Sequence, residues 1–236
     1  MNVQERTRVN TTVAMITMNE EGAIAKVVQD IRRYVPDAEI LLVDSSRDRT
    51  PEIAESLGCR VVRQFPPQGY GPAMTRVLRE SRGDIVVTLD CDDTYPAEDI
   101  PKLVKLVEED GYDLVNASRI VKRPQAMPFA NYLANRLFAL STMLLHGLRT
   151  TDVHSGMRAY RKSMLDTLEW HAAAPALPVE LLILPYRKGF KVKEIGIDYR
   201  ERIGDTTLHR WSSTVWTFKR IFRALAVKRE RRPAHA

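Results

Sequence analysis

Five short apolar runs alternate with stretches of helical periodicity across the first half of this chain, and that alternation limits its fold more than any other feature. The runs cover residues 13–17, 40–44, 60–62, 85–89 and 114–117, and the periodic stretches cover 22–34, 51–57, 72–80 and 97–109. Strands of this length joined through single helices need crossover connections, which predicts an α/β fold with a mostly parallel sheet covered on both faces. Ligands of such sheets bind outside the carboxyl ends of the strands. The segments after Thr17, Asp44, Val62 and Leu89 are therefore expected on one rim. With 236 residues, 44% of them apolar, the chain has material for one domain with a substantial core.

The fourth run is the most informative, because Val86-Val87-Thr88-Leu89 leads straight into Asp90-Cys91-Asp92-Asp93. Carboxylates at the end of a strand suit a divalent cation beside a phosphorylated ligand, since hard cations choose oxygen ligands and often keep phosphate as another. After the first run, Asn19 is expected to cap the following helix, with Glu20 and Glu21 in its first turn. The second run ends on Asp44, placed to accept from a nucleobase N–H or a ribose hydroxyl, and Ser45 to Pro51 reads as a turn and a helix start. Gln68-Gly69-Tyr70-Gly71-Pro72 would let the backbone approach a ligand closely.

In this order the segments resemble family 2 glycosyltransferases of the GT-A fold, most of all the polyprenyl-phosphate sugar transferases, the group that contains dolichol-phosphate mannosyltransferase. The matching stretches are Ile16-Thr17-Met18-Asn19-Glu20, Val43-Asp44-Ser45-Ser46-Arg47-Asp48-Arg49-Thr50, Gly69-Tyr70-Gly71-Pro72-Ala73, Asp90-Cys91-Asp92 and Ala117-Ser118-Arg119. A last one runs from Asp152 through Ser155-Gly156-Met157-Arg158 to Arg161, and the resemblance spans residues 13–208. It implies that Asp92 binds Mg2+ or Mn2+ on the donor diphosphate, with Asp90 assisting the metal or the donor ribose. It also implies that groups around Thr17, Met18, Glu20, Val43, Asp44, Gly69 and Gly71 hold the donor, and that Arg119, Ser155, Arg158 and Arg136 hold the acceptor phosphate. Arginine suits that task because its planar fork stays charged and bonds two oxygens.

Three departures from the pattern bear on the donor. Met18 stands where the family has a tyrosine, and the loop after Asp44 lacks the family's second aspartate and its glycine. The late family loop appears as Gly204-Asp205-Thr206-Thr207-Leu208 without its lysine, a charge that Arg202 or Arg210 is placed to replace.

The implied reaction is inverting transfer of a hexose from a GDP- or UDP-sugar to a polyprenyl phosphate. A phosphate acceptor, with a second pKa of about 6, is largely a dianion near neutral pH and needs no general base. A hydroxyl acceptor would need one, for which Asp93, Asp152 and Glu180 are candidates. Two alternatives stay open: a family 2 enzyme with a soluble acceptor, and a catalytically silent protein that binds membrane or nucleic acid. Net charge of +6 favours anionic partners, but no nucleic-acid recognition motif accompanies it.

Two further segments bear on the acceptor. Residues 131–148 carry Leu133, Leu137, Leu140 and Leu144 at helical spacing, widened by Phe138, Met143 and Leu145, so this helix is expected to be buried or to meet lipid. Trp211, Val215, Phe218, Phe222 and Leu225 form a second broad face, with Lys219, Arg220, Arg223 and a basic tail beside it. The chain is accordingly divided into a transferase domain, 1–210, and an amphipathic helix and tail, 211–236, that docks on a membrane surface. Two cysteines, no signal-like start and no long apolar run place the expected location in the cytoplasm, peripheral on the inner membrane face, with a homo-oligomer allowed.

Overall fold

The computed structural model describes residues 11–121, 127–173, 175–200 and 210–230. The strands are β1 (Thr11–Thr17), β2 (Glu39–Asp44), β3 (Arg60–Arg63), β4 (Ile85–Thr88), β5 (Leu114–Ser118), β6 (Arg158–Arg161) and β7 (Val192–Gly196). Between and after them lie α1 (Ile24–Tyr34), α2 (Thr50–Ser56), α3 (Tyr70–Glu80), α4 (Ile100–Glu108), α5 (Phe129–His146), α6 (Lys162–Thr167), α7 (Leu177–Arg187) and α8 (Arg210–Arg223). Seven strands form one sheet in the order β3-β2-β1-β4-β6-β5-β7. Strand β6 runs antiparallel to both neighbours, and every other pair is parallel.

That one reversal completes the rim. The carboxyl ends of β1, β2, β3, β4 and β5 share it with the amino end of β6, where Arg158 pairs with both Thr88 and Asn116. Segments from both halves of the chain thus meet at one edge.

The helices bury their stripes on the two sheet faces. In α1 the buried residues are Ile24, Val27, Val28 and Ile31, the spacing of one helical face. Each such side chain contributes roughly 1.5–3 kcal/mol on leaving water. They pack with Met15, Leu42 and Val87 and with α4, while Val43, Val86 and Tyr160 meet α3, α6 and α7 on the other face.

The first nine predicted elements are present with ends shifted by a residue or two, and residues 97–99 form a separate 3-10 turn ahead of α4. Four elements were not expected. Strand β6 reads Arg-Ala-Tyr-Arg, with no apolar run to announce it, and β7 is a half-exposed edge strand. Helix α6 is short, and α7 is buried almost all round, so neither shows an amphipathic period.

Helices α5 and α8 pack together through the edge-to-face pair Phe138 and Phe218, 5.1 Å between centroids, and through His146, whose Nε2 lies 2.9 Å from the Ile221 carbonyl oxygen. Leu133, Leu137, Leu140 and Leu144 face outward from α5, Leu144 being 72% exposed. Val215 and Phe222 face outward from α8. Phe218 and Arg220 differ from the expected outer face, since both turn inward. Arg220 is 5% exposed, ion-paired with Glu180, and donates to the carbonyls of Pro175 (2.7 Å) and His171 (2.8 Å). The start of the basic tail folds back on α7, with Arg229 over the Tyr186 ring and Glu230 paired to Lys188. Among the described residues no helix is long and apolar enough to cross a membrane.

Candidate active site

The rim begins with two loops zipped together. Thr17 Oγ1 donates to Asp44 Oδ1 (2.7 Å), and Ser46 donates to Asp44 through both its hydroxyl (2.6 Å) and its amide (3.0 Å). Arg63 pairs with the second Asp44 oxygen. Asp44 is fully buried, so its acceptor positions are occupied by protein groups rather than offered to a base. Asn19 does not cap a helix: α1 starts five residues later without a side-chain cap. Instead Asn19 takes a left-handed conformation, φ 61°, donates its amide to Ser46 Oγ (2.8 Å) and accepts from Arg47 N (2.9 Å). Glu20 N donates to Thr50 Oγ1 (2.8 Å), and Glu21 N to Asp48 (3.2 Å). Burial alone would raise the Asp48 pKa, but hydrogen bonds from Thr50 and Glu21 hold it below its ordinary value. Met18 stands exposed beyond β1, while the Val43 side chain is in the core, which leaves only its main chain for a ligand.

Gly69 and Gly71 shape the next segment. Gly69 has φ 95°, a conformation that favours glycine, directly before α3. A β-carbon on Gly71 would fall 1.8 Å from the Ala172 carbonyl oxygen, so this glycine permits close packing of a neighbouring loop.

The acidic cluster divides into three roles. Asp90 is half-buried at the end of the β4 segment, and its carboxylate lies against Gly156, where a β-carbon would come within 2.9 Å of both oxygens. Asp92 is buried, and its Oδ1 accepts from Thr94 Oγ1 (2.6 Å) and Thr94 N (3.2 Å). Asp93 turns away at φ 62° to meet Lys26 (2.7 Å) and Arg200 (3.8 Å). Burial, then the charges of Glu20, Asp92 and Asp90, push the Cys91 thiol well above its usual range, so three carboxylates share one electrostatic neighbourhood. Among the described residues no group of three His, Cys, Asp or Glu is arranged to hold an ion without further ligands.

The arginines expected at an acceptor phosphate are placed differently. Arg119 grips Asp152 with Nε (2.7 Å) and NH2 (2.9 Å) and lies over the Tyr199 ring. Burial alone would raise the Asp152 pKa, but Arg119 holds it below its ordinary value; the same carboxylate carries Arg119 well above its own. Arg158 is 1% exposed and donates to Asn116 Oδ1 (2.8 Å), Pro178 O (2.6 Å) and Val153 O (3.0 Å), which makes it an internal tie between β5, β6 and α7 rather than a phosphate contact. Ser155 is likewise buried and donates to Ala117 O (2.5 Å). Arg136 lies exposed on α5. Arg202 lies outside the described residues. The three carboxylates considered as bases are all ion-paired: Asp93 with Lys26, Asp152 with Arg119, and Glu180 with Arg220.

Gly156, Tyr95 and Thr94 were not singled out by the sequence. Gly156 N donates to the Tyr95 hydroxyl (2.7 Å), and Gly156 O accepts from Thr88 (2.8 Å), which fixes the backbone under Asp90. The only signal was the Ser155-Gly156 pair inside a family motif.

A dolichyl-phosphate hexose transferase of Haloferax volcanii is 46% identical over 197 residues, 83% of this chain and 85% of the relative. An undecaprenyl-phosphate 4-deoxy-4-formamido-L-arabinose transferase of Pseudomonas paraeruginosa is 37% identical over 66% of this chain, which spans 48% of that relative. Among solved structures, glucosyl-3-phosphoglycerate synthase of Mycobacterium tuberculosis in complex with Mn2+, UDP-glucose and phosphoglyceric acid superposes with a TM-score of 0.76 at 22% identity, covering 94% of this chain and 81% of that one. That likeness establishes the GT-A fold. The family model described as Glycosyl transferase family 2 matches residues 12–169, every rim segment from β1 through β6, and to that family this chain belongs.

Proposed function

We propose that the protein moves a hexose from a nucleoside-diphosphate sugar to a polyprenyl phosphate at a membrane surface. The observation that carries this reading is the 46% identity to a dolichyl-phosphate hexose transferase across 83% of this chain and 85% of that relative. The outward leucine stripe of α5 and the outward Val215 and Phe222 of α8 support it, because an apolar acceptor chain and a lipid surface would cover them. Lys219 and Arg223, exposed on α8, would meet anionic headgroups. In this reading the residues from 211 onward act as the docking segment, and the protein is peripheral on the inner face of the membrane.

Asp90 and Asp92 would hold Mg2+ or Mn2+. Two carboxylates fit such an ion, which usually takes one or two of them and completes its shell with substrate phosphates and water. The missing β-carbon at Gly156 leaves the Asp90 carboxylate its place. When bound, the ion supplies Lewis-acid stabilisation to the departing diphosphate. The zipped loops after β1 and β2 would receive the nucleoside, with Asp44 organising them from beneath and Met18 and Glu20 at their edge. Arg202 is proposed on the donor diphosphate, and Arg136 beside the acceptor.

The ion pairs of Asp93, Asp152 and Glu180 favour a phosphate acceptor over a hydroxyl. Each carboxylate is engaged by a cation within the protein, whereas a phosphate monoester is already ionised at neutral pH. A thermal-shift panel of UDP, GDP and TDP with and without Mn2+ tests donor binding, because a ligand of the native state alone raises apparent stability. A metal-dependent shift with one nucleotide is expected, and no shift with any of them would overturn the reading.

A further inference from the structure

His154 joins the rim to both outward-facing helices. One ring nitrogen, Nε2, lies 2.9 Å from Thr217 Oγ1 on α8, and Nδ1 lies 3.3 Å from Asn135 Oδ1 on α5. Its ring also packs edge-to-face on Phe138 at 5.4 Å. The Asn135 amide nitrogen donates to Asn131 O (2.9 Å), which leaves the oxygen facing His154. Nδ1 thus faces an acceptor oxygen, and Nε2 shares a hydrogen bond with the Thr217 hydroxyl. On the other side, the His154 amide donates to Asp152 Oδ1 (3.1 Å), and two residues on is Gly156, against Asp90.

We propose that His154 is a positioning residue that fixes the spacing between the α5–α8 apolar face and the Asp90–Asp92 site. The inference rests on the membrane-surface reading above. If an acceptor phosphate enters from the plane that these two helices define, its distance from the acidic pair is set by the link between helices and rim loop. His154 bonds to both helices and to the Asp152 end of that loop. Helix α8 has separate anchors in Arg220 and Phe218, so cutting the His154 link would loosen the spacing without releasing the helix.

The experiment compares wild type with His154→Ala, Asn135→Ala and Thr217→Val, the last of which removes the α8 hydroxyl that faces His154 while keeping the side chain's size. UDP-glucose and GDP-mannose are each supplied with Mn2+, and undecaprenyl phosphate is presented in phosphatidylcholine–phosphatidylglycerol vesicles. The expected result is a KM for the lipid raised about ten-fold or more in the variants, with the nucleotide-induced thermal shift as in wild type. An unchanged KM in Thr217→Val, or a loss of nucleotide binding together with transfer, would overturn the proposal. Failure of wild type itself to make lipid-linked sugar from either donor would instead count against the acceptor reading on which it rests.

Discussion

Gly156 gives the Asp90 carboxylate a place that any β-carbon at position 156 would take, at 2.9 Å from each of its oxygens. The glycine backbone has no freedom to retreat, being tied to the Tyr95 hydroxyl and to Thr88. Gly156→Ala is therefore expected to swing Asp90 out of position. Transfer should fall by about 100-fold. Overpacking should cost on the order of 1–3 kcal/mol in urea unfolding. A variant with wild-type kcat would show that Asp90 works in another orientation.

The Arg119–Asp152 pair is buried, and removing one partner leaves a buried charge unmatched. Asp152→Asn is expected to cost about 3–5 kcal/mol, measured by the urea midpoint at neutral pH. Its folded pKa is depressed, so the stability this carboxylate contributes is complete above its unfolded value and is lost as pH falls through the folded one. The difference between wild type and variant should accordingly shrink in acid. A constant difference down to about pH 2 would contradict the assignment.

His154 gives a second pH signature. Burial lowers its pKa to about 4. Unfolded chains bind that proton from about pH 6.5 downward while the folded protein does not, so stability falls as pH drops from about 6.5 towards 4. Burial lowers the His146 pKa as well, so the test is a comparison. His154→Gln should show a shallower loss over that window, and identical slopes would place the ring in a more solvated setting than its contacts indicate.

Cys91 is expected to resist alkylation at pH 8. Its thiol is buried and pushed upward by burial and by the neighbouring Glu20, Asp92 and Asp90 charges, and the thiolate is the reactive form. Labelling of the folded protein by iodoacetamide, read by peptide mass, should therefore leave Cys91 unmodified until denaturant is added.

What the sequence disclosed depended on whether the partner of a residue was near in the chain. Strands β1, β2 and β4 were legible because they are apolar and buried on both faces, and the rim followed from the crossover rule. Asn19 resembles a helix cap in sequence because its actual partners, Ser46 and Arg47, lie 27 and 28 positions away. Arg158 looked like a phosphate ligand because an arginine held by a side-chain amide and two carbonyls cannot be told in sequence from one that meets an anion. The breadth of the α5 apolar face was evident from its leucines. Which side turns outward depended on Phe218 and Ile221 of α8, which occupy the inner side.

The central claim is sugar transfer to a lipid phosphate through the Asp90–Asp92 site. The direct measurement is incubation of the protein with Mn2+, radiolabelled UDP-glucose or GDP-mannose, and undecaprenyl phosphate in vesicles, followed by solvent extraction. Labelled lipid is predicted with one donor, absent after chelation of the metal and absent in Asp92→Asn. Label recovered only as free sugar or water-soluble product, or lipid labelling undiminished in Asp92→Asn, would contradict it.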